Sequence, residues 1–168
     1  METAQIKSAV LDKESIGRKL RRMALQVAEQ NSEESELVIA GITGNGEVMA
    51  KSLIRELTHI ATFSITQLTI DLNKKQPGEV TVHPATDFNN KVIILVDDVA
   101  NTGKTMLYAL KPLLLTLPKK IQTLVLVERS HKLFPIQTDY AGLSLATTLQ
   151  EHIVVDTQDD EITGAWLY

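Results

Sequence analysis

Three largely apolar runs divide the chain, at residues 37–42, 91–96 and 121–127. Continuous runs of this kind are typical of strands buried on both faces of a parallel sheet, whereas half-exposed strands alternate. Between the runs, apolar residues recur at helical spacing and predict helices over 12–30, 47–58 and 104–117. Two further strands are predicted, at 62–70 and 80–83. Strands that alternate with helices indicate an α/β domain with a mostly parallel sheet.

Local signals refine these elements. Asp12 is the predicted N-cap of the first helix, because its side chain can accept a hydrogen bond from a free backbone amide. Pro112 is expected to kink or shorten the third helix, since proline has no amide hydrogen. The polar segment 71–79 contains Pro-Gly and is predicted to be an exposed, mobile loop. A chain of 168 residues is expected to form a single domain, residues 1–168.

The most informative strand end is the segment VIILVDDVANTGKT, residues 92–105. Five apolar residues lead into Asp97 and Asp98, and a Thr-Gly-Lys-Thr turn follows. Adjacent carboxylates repel each other, so the pair favours a site that holds a cation or a polyhydroxyl ligand. The turn offers hydroxyls, a glycine and backbone amides at a helix start, which is typical of a phosphate site. Because ligands bind at the carboxyl ends of parallel strands, the segment predicts a ribose 5-phosphate site.

Two other interpretations of this segment compete with a ribose 5-phosphate site. In the first, the two acids only cap the helix that follows. The second is the P-loop of ATP-binding proteins, which the letters Gly-Lys-Thr suggest. A P-loop needs a glycine five residues before Gly103, where this chain has Asp98, and a carboxylate there would repel the bound phosphates. The P-loop is therefore rejected.

Composition limits the class of protein. The chain has no cysteine, which excludes disulfides and thiolate metal sites and, with no signal peptide apparent, favours the cytoplasm. No apolar run reaches the roughly 18 residues of a membrane helix, so no membrane association is expected. The net charge of -4 at pH 7 does not favour a general nucleic-acid binder, which usually carries a basic face.

The segment ILVDDVANTGKT closely resembles the signature of the type I phosphoribosyltransferases, which use 5-phosphoribosyl 1-pyrophosphate (PRPP). The resemblance implies a type I phosphoribosyltransferase fold, in which helices flank a mostly parallel central sheet. It also implies a small hood region, formed by the N-terminal residues and about 128–168. Three further segments occur in the order found in the bifunctional pyrimidine operon attenuator/uracil phosphoribosyltransferases: GITGNGEVMA, LTIDLNKK and LVLVERSHKLFPIQTDYAGLSL.

The resemblance implies roles for the residues of two loops. Asp97 and Asp98 would hold the ribose hydroxyls and order Mg²⁺ through water or PRPP, and Asp98 would also act as acid or base near the glycosidic carbon. The 5-phosphate would bind Ala100, Asn101, Thr102, Gly103, Lys104 and Thr105. A side chain at position 103 would crowd the phosphate or forbid the backbone turn. The pyrophosphate would bind Thr43, Gly44, Asn45 and Gly46. The attenuator proteins typically have a Lys-Thr-Arg-Gly loop there, so this chain lacks two positive charges.

The same resemblance implies a lid and a base pocket. Lys74 and Lys75 would belong to a flexible lid that closes over the reacting centre, although two lysines in a polar loop are more often solvated surface. The base would bind Glu128, Tyr140 and Ala141, with the ring of Tyr140 stacked on it and the Ala141 backbone reading its edge. Considered without the resemblance, a tyrosine at this position would more often pack in the core.

The resemblance predicts that the chain converts uracil and PRPP, with Mg²⁺, into UMP and pyrophosphate, and a purine is the alternative base. An RNA-binding regulator of the pyrimidine operon and a non-catalytic nucleotide sensor stay open as other functions. RNA binding is expected to be weak or absent, because contacts from Lys and Arg to phosphate dominate RNA affinity. Three positions that are basic in the attenuator proteins are changed here, to Lys132 in place of arginine, Gln137 and Leu149. The family also predicts a homodimer or a higher homo-oligomer.

Overall fold

The computed structural model of the chain describes residues 7–148 and 151–168. Nine strands, three helices and one 3-10 turn follow one another in these residues as β1 Ser8–Leu11, α1 Lys13–Gln30, β2 Glu36–Ile42, α2 Asn45–Thr58, β3 Ser64–Leu72, β4 Val80–His83, β5 Val92–Ala100, α3 Lys104–Ala109, the turn Lys111–Leu115, β6 Lys120–Arg129, β7 Tyr140–Leu145, β8 Ile153–Gln158 and β9 Glu161–Leu167. None of these helices has both the length and the apolar content that a membrane crossing would need.

Six strands form the large sheet, in the order β4-β3-β2-β5-β6-β7. Five neighbouring strands of this sheet run parallel to one another, namely β3, β2, β5, β6 and β7. The sixth, β4, pairs antiparallel with β3 at one edge. The three apolar runs of the sequence are β2, β5 and β6, which lie in the middle of the sheet and are buried on both faces. The predicted α/β class with a mostly parallel sheet is confirmed.

Helices cover both faces of the large sheet. Alternate residues of β2 point to opposite faces, as strand geometry requires. Leu37 and Ile39 face the core beneath α1 and α2, whereas Val38 and Ala40 face the core beneath α3. The sheet is therefore held between two apolar layers, and its strand ends at one edge are left free to form a site.

A small antiparallel sheet of β1, β9 and β8, in that order, corresponds to the predicted hood. Ser8 pairs with Leu167, so the first strand of the chain lies beside the last. The prediction of a hood from about residue 128 onward placed its boundary too early, because β7 pairs with β6 in the large sheet. Among the described residues, the C-terminal part of the small sheet consists of β8 and β9.

The structure adjusts two other predictions. The strand β5 continues to Ala100, so Asp97 and Asp98 lie inside the strand, near its C-terminal end, and not after it. The third helix ends at Ala109, and Pro112 falls in the 3-10 turn that follows, which confirms the predicted shortening. The prediction for Asp12 is also confirmed, since its carboxylate accepts a hydrogen bond from the Ser15 amide at 2.7 Å.

Candidate functional site

A cleft of about 230 Å³ lies between the end of β5 and the small sheet. One side is formed by residues 97–106, which include both acids and the whole predicted phosphate loop. The other side is formed by residues 153–155 of β8, and Asn45 and Lys74 complete the lining. The structure thus brings together the acids, the phosphate loop, one lid residue and one residue of the predicted pyrophosphate loop.

The two acids are almost completely enclosed. Asp97 is 1% exposed and Asp98 is 9% exposed. The Lys74 ammonium lies 3.0 Å from Oδ1 of Asp97 and 3.9 Å from Oδ1 of Asp98. The acid pair therefore already attracts a cation in the ligand-free protein, and that cation comes from the lid.

The environment of Asp97 opposes its ionisation. Burial, followed by the charge of Asp98, raises the pKa of Asp97 from 3.8 to about 8, and Lys74 offsets only part of this effect. The Asp98 amide donates a hydrogen bond to Asp97 Oδ1 at 2.9 Å, which also stabilises the carboxylate. A second cation, or a ligand with hydroxyl donors, would lower the cost of ionising this group.

The phosphate loop owes its shape to a segment about thirty residues downstream. The amides of Leu133 and Phe134 both donate to the Thr102 carbonyl, at 3.0 Å each. Gly103 has φ +85°, and a Cβ added there would overlap Ile136 Cγ2 and lie 3.3 Å from the Phe134 carbonyl. Of the two reasons that the sequence gives for a glycine at position 103, the φ of +85° agrees with a backbone turn that other residues rarely adopt, and the space next to the glycine is filled by Ile136 of the protein itself.

The predicted pyrophosphate loop is turned largely inward. The amide and the hydroxyl of Thr43 donate to the Ile70 carbonyl, at 2.9 and 2.8 Å. Asn45 donates to Asp98 Oδ2 at 3.0 Å. Gly46 lies so close to the acids that a Cβ there would be 3.0 Å from Asp97 Oδ1. Of Thr43, Gly44, Asn45 and Gly46, only Asn45 lines the cleft.

The predicted lid divides into an inner and an outer lysine. The loop spans residues 73–79, between β3 and β4, and is mostly exposed. Lys74 turns into the cleft, whereas Lys75 is exposed and does not line it. The sequence did not predict the contact between Lys74 and Asp97, because no local pattern links a loop lysine to an acid on another strand.

The structure does not bring Tyr140 to the cleft, which corrects the predicted stacking role. Tyr140 is 2% exposed and belongs to the core beneath α1. Its hydroxyl oxygen lies 2.8 Å from Gln30 Oε1 and 2.9 Å from Gln122 Oε1, so its proton can be donated to either amide oxygen. Tyr140 is level with Leu124 of β6 and, through Leu124, with Val96 of β5, but its ring lies on the face of the sheet that α1 covers. A ring enclosed in this way cannot stack on a base in the cleft.

Glu128 and Ala141 also lie outside the cleft lining. The Glu128 carboxylate accepts hydrogen bonds from Lys132, Thr138 and Ser144. Burial alone would raise the pKa of Glu128, but these donors hold it below its usual value. The Ala141 carbonyl accepts from Arg22 at 3.0 Å. Glu128, which was predicted to bind the base, and the Ala141 carbonyl, whose backbone was predicted to read the base edge, are therefore already paired within the protein.

The apolar wall of the cleft was missed by the sequence analysis. Ile153 and Val155 are buried, and Val154 between them is 40% exposed. The apolar run 153–155 is short and contains no polar or ionisable side chain, so the sequence gives no sign that it belongs to a site. Its role follows from its position opposite the acids. An apolar surface facing an acid pair is suited to a ligand that is flat or hydrophobic on one side and polar on the other.

The acids could hold Mg²⁺ only with help from a ligand or water. No group of three His, Asp or Glu side chains with metal-binding geometry occurs in residues 7–148 and 151–168. Mg²⁺ is usually bound by one or two carboxylates together with water and substrate phosphates. Asp97 and Asp98, which already hold a lysine ammonium, fit this pattern.

Comparison with known proteins identifies similar sequences over most of the chain. A family profile described as "Phosphoribosyl transferase domain" matches residues 7–162. The chain is 33% identical to the "Bifunctional protein PyrR" of Staphylococcus carnosus over 162 residues, which covers 90% of this chain and 93% of that protein. It is also 33% identical to the protein of the same name from Bacillus cereus over 169 residues, which covers 94% of each.

Solved structures show the same fold at lower sequence identity. The hypoxanthine phosphoribosyltransferase of Trypanosoma cruzi matches with a TM-score of 0.76 and 15% identity, over 94% of this chain and 95% of that one. A hypoxanthine-guanine phosphoribosyltransferase from Bacillus anthracis matches with a TM-score of 0.73 and 22% identity, over 95% and 97%. At these identities the likeness concerns the fold alone.

Proposed function

Since this chain belongs to the phosphoribosyl transferase domain family, we propose that it transfers the 5-phosphoribosyl group of PRPP to uracil, giving UMP and pyrophosphate. One observation carries the proposal: Asp97, Asp98 and the whole loop 100–105 line a single cleft. Carboxylates suit ribose hydroxyls, and a loop rich in amides and hydroxyls suits a phosphate. The acids lie near the end of one strand and the loop follows directly, so the arrangement suits a ligand that carries ribose hydroxyls and a phosphate together.

The phosphate loop would anchor the substrate. Its backbone amides and the hydroxyls of Thr102 and Thr105 would donate to the 5-phosphate, and charge-assisted hydrogen bonds of this kind contribute about 1.5–3 kcal/mol each. The contacts of Thr102 with the segment 133–136 hold the loop in shape before any ligand arrives. Such preorganisation lowers the entropy cost of binding.

The acids would position the ribose for the reaction. In the transfer, a ring nitrogen of the base bonds to ribose C1, the bond from C1 to the pyrophosphate oxygen breaks, and the base loses its ring N–H proton. Asp97 and Asp98 would accept hydrogen bonds from the ribose hydroxyls, and Asp98 would serve as the acid or base near C1. When Mg²⁺ is bound with PRPP, it neutralises pyrophosphate charge. Positioning and charge stabilisation would supply most of the rate.

Lys74 would exchange partners during this cycle. In the ligand-free protein its ammonium lies on the acid pair, where the ribose and its associated cation would bind. The substrate would displace it, and the freed ammonium could then follow the negative charge of the pyrophosphate as the lid closes. Closure would keep water away from the reacting carbon.

Uracil is the proposed base because segments of the sequence resemble those of the bifunctional pyrimidine operon attenuator/uracil phosphoribosyltransferases. A purine remains the alternative, although the hypoxanthine enzymes resemble this chain only in fold. No residue is assigned to the base from the predicted set, because Glu128, Tyr140 and Ala141 lie away from the cleft lining. The apolar residues 153–155 are the nearest surface on which a flat base could rest.

RNA regulation is a weaker candidate than catalysis. Lys132, which stands at a position where the attenuator proteins have arginine, forms an ion pair of 2.9 Å with Glu128, and both side chains are less than 20% exposed at 13% and 16%. A paired and enclosed ammonium is poorly placed to contact an RNA phosphate. Of the two other replacements, Gln137 is exposed but carries no charge, and Leu149 lies outside the described residues. We likewise retain the cytoplasm and a homo-oligomer as predictions.

An assay with PRPP, Mg²⁺ and each common base, followed by pyrophosphate release, tests the proposal directly. Turnover should be highest with uracil, and Asp98→Asn should abolish it without unfolding the protein. Asp87→Asn, which changes an exposed acid outside the cleft, is the matched control.

Calorimetry provides an independent test of the phosphate loop. UMP should bind at least ~100-fold more tightly than uridine, because two or more charge-assisted hydrogen bonds are lost without the phosphate. Equal binding of UMP and uridine would show that the loop is an ordinary helix start, and the proposed function would lose its main support.

A further inference from the structure

The side chain of Asn45 joins three separate parts of the molecule. Asn45 is the first residue of α2, and its amide nitrogen donates to Asp98 Oδ2 at 3.0 Å and to the Val155 carbonyl at 2.9 Å. Its amide oxygen accepts a hydrogen bond from the Thr157 hydroxyl at 3.2 Å. A side-chain amide has two N–H donors and one oxygen, so every polar group of Asn45 is engaged.

These contacts connect the acid pair to the small sheet. Val155 and Thr157 belong to β8, whose residues 153–155 form the wall of the cleft opposite the acids. Within residues 7–148 and 151–168, no other side-chain hydrogen bond or ion pair links the small sheet to Asp97 or Asp98. Among these residues Asn45 is therefore the one polar side-chain link between the two walls at the acids, while the buried side chains of Ile153 and Val155 hold β8 by apolar packing.

We infer that Asn45 is a positioning residue that fixes the Asp98 carboxylate relative to strand β8, so that a bound ribose is held between two walls in one arrangement. The inference assigns Asn45 a role other than direct contact with pyrophosphate, and its ligand rests on the proposed function. Asn45 acts through Asp98 and β8.

The chemistry of the site explains why an amide is suited to this position. An aspartate would keep the oxygen that accepts from Thr157, but it would lose both donors and place a second charge against Asp98. An alanine would leave Asp98 Oδ2 and the Val155 carbonyl without this donor, in a place that little water reaches. Leaving enclosed acceptors unpaired is costly, so the small sheet would move until water or another donor satisfied them.

Three variants separate the contacts of Asn45. Asn45→Asp keeps the hydrogen bond with Thr157 and removes those to Asp98 and Val155. Asn45→Ala removes all three. Thr157→Val is the matched control, because it removes only the hydroxyl donor and keeps both bonds from the Asn45 nitrogen.

Calorimetry with ribose 5-phosphate and with inorganic phosphate is the first measurement. Ribose 5-phosphate should bind at least about tenfold more weakly to both Asn45 variants, while the affinity for inorganic phosphate, which needs only the loop 100–105, should not change. Thr157→Val should bind both ligands like the unsubstituted protein. Unchanged ribose 5-phosphate affinity in the Asn45 variants, or an equal loss for both ligands, would overturn the inference.

Hydrogen exchange of the ligand-free proteins is the second measurement, and it does not depend on the proposed function. The amides of β8 should exchange faster in Asn45→Ala than in the unsubstituted protein and in Thr157→Val, while those of β6 stay unchanged. Equal exchange of β8 in all three proteins would refute the link between Asn45 and the small sheet. Failure of the unsubstituted protein to bind ribose 5-phosphate would instead count against the proposed function.

Discussion

Replacing Asp97 by asparagine should remove a loss of stability that the ligand-free protein undergoes as the pH rises. The pKa of Asp97 is raised from 3.8 to about 8, first by burial and then by the charge of Asp98. A carboxyl group whose pKa is raised by folding contributes stability that is fully present below pH 3.8 and is lost as the pH rises through about 8. Over this window the folded state holds a proton that the unfolded state releases.

The size of the effect follows from the two pKa values. One pKa unit corresponds to about 1.36 kcal/mol, so pKa values of 3.8 and about 8 give a loss of roughly 3–4 kcal/mol between pH 5 and pH 8. Asparagine has nearly the same shape as aspartate and does not ionise. The difference in free energy of unfolding between Asp97→Asn and the unsubstituted protein should therefore widen by a similar amount over the same range.

Urea unfolding followed by circular dichroism, without ligand or Mg²⁺, measures this difference at a series of pH values. Titrating groups that do not contact Asp97 are common to both proteins and cancel in the comparison. Asp87→Asn, which replaces an exposed acid, should run parallel to the unsubstituted protein throughout. If Asp97→Asn also ran parallel, Asp97 would not be held in an environment that opposes its charge, and the electrostatic description of the cleft would be wrong.

Three further outcomes can be checked with the same methods. Lys74→Met should raise the pH at which the stability loss ends, because Lys74 lowers the pKa of Asp97, whereas Lys75→Met should leave that pH unchanged. Gly103→Ala should lower the melting temperature and weaken UMP binding, because the added Cβ would overlap Ile136. In addition, the φ of +85° at this position costs a residue with a side chain about 1–2 kcal/mol. Adding Ile136→Ala should restore part of the stability. Leader RNA of the pyrimidine operon should bind weakly and with a steep salt dependence in a filter-binding titration, and a nanomolar, sequence-specific dissociation constant at physiological salt would instead favour the regulator.

The central layer of the fold could be predicted from the sequence because its signals are local. Continuous apolar runs identify β2, β5 and β6, since these strands are buried on both faces, and Asp12 and Pro112 mark where helices begin and end. The acids and the phosphate loop could be predicted for the same reason, since they follow one another in a single segment. The acids and the phosphate loop line one cleft, and the three apolar runs contribute to both core layers of the large sheet.

The remaining features depend on contacts between distant segments. Strand β1 was missed because four residues with a mixed pattern form a strand only beside β9, at the other end of the chain. The core position of Tyr140 follows from where β7 begins relative to β6, a register that no local pattern indicates. The role of Asn45 was likewise hidden, since its partners lie on β5 and β8.

The pairing of β1 with β9 has a consequence for the order in which the protein folds as it is made. Strand β8 pairs with β9 and with no other strand of the described residues, and β1 reaches β8 only through β9. Until residues 161–167 have left the ribosome, the large sheet can have all of its strands, but β8 lacks the one strand with which it pairs. Nascent chains from which β9 has not yet emerged should therefore form the large sheet and yet bind a nucleotide poorly, so that competence for binding is acquired when β9 joins β8 and β1.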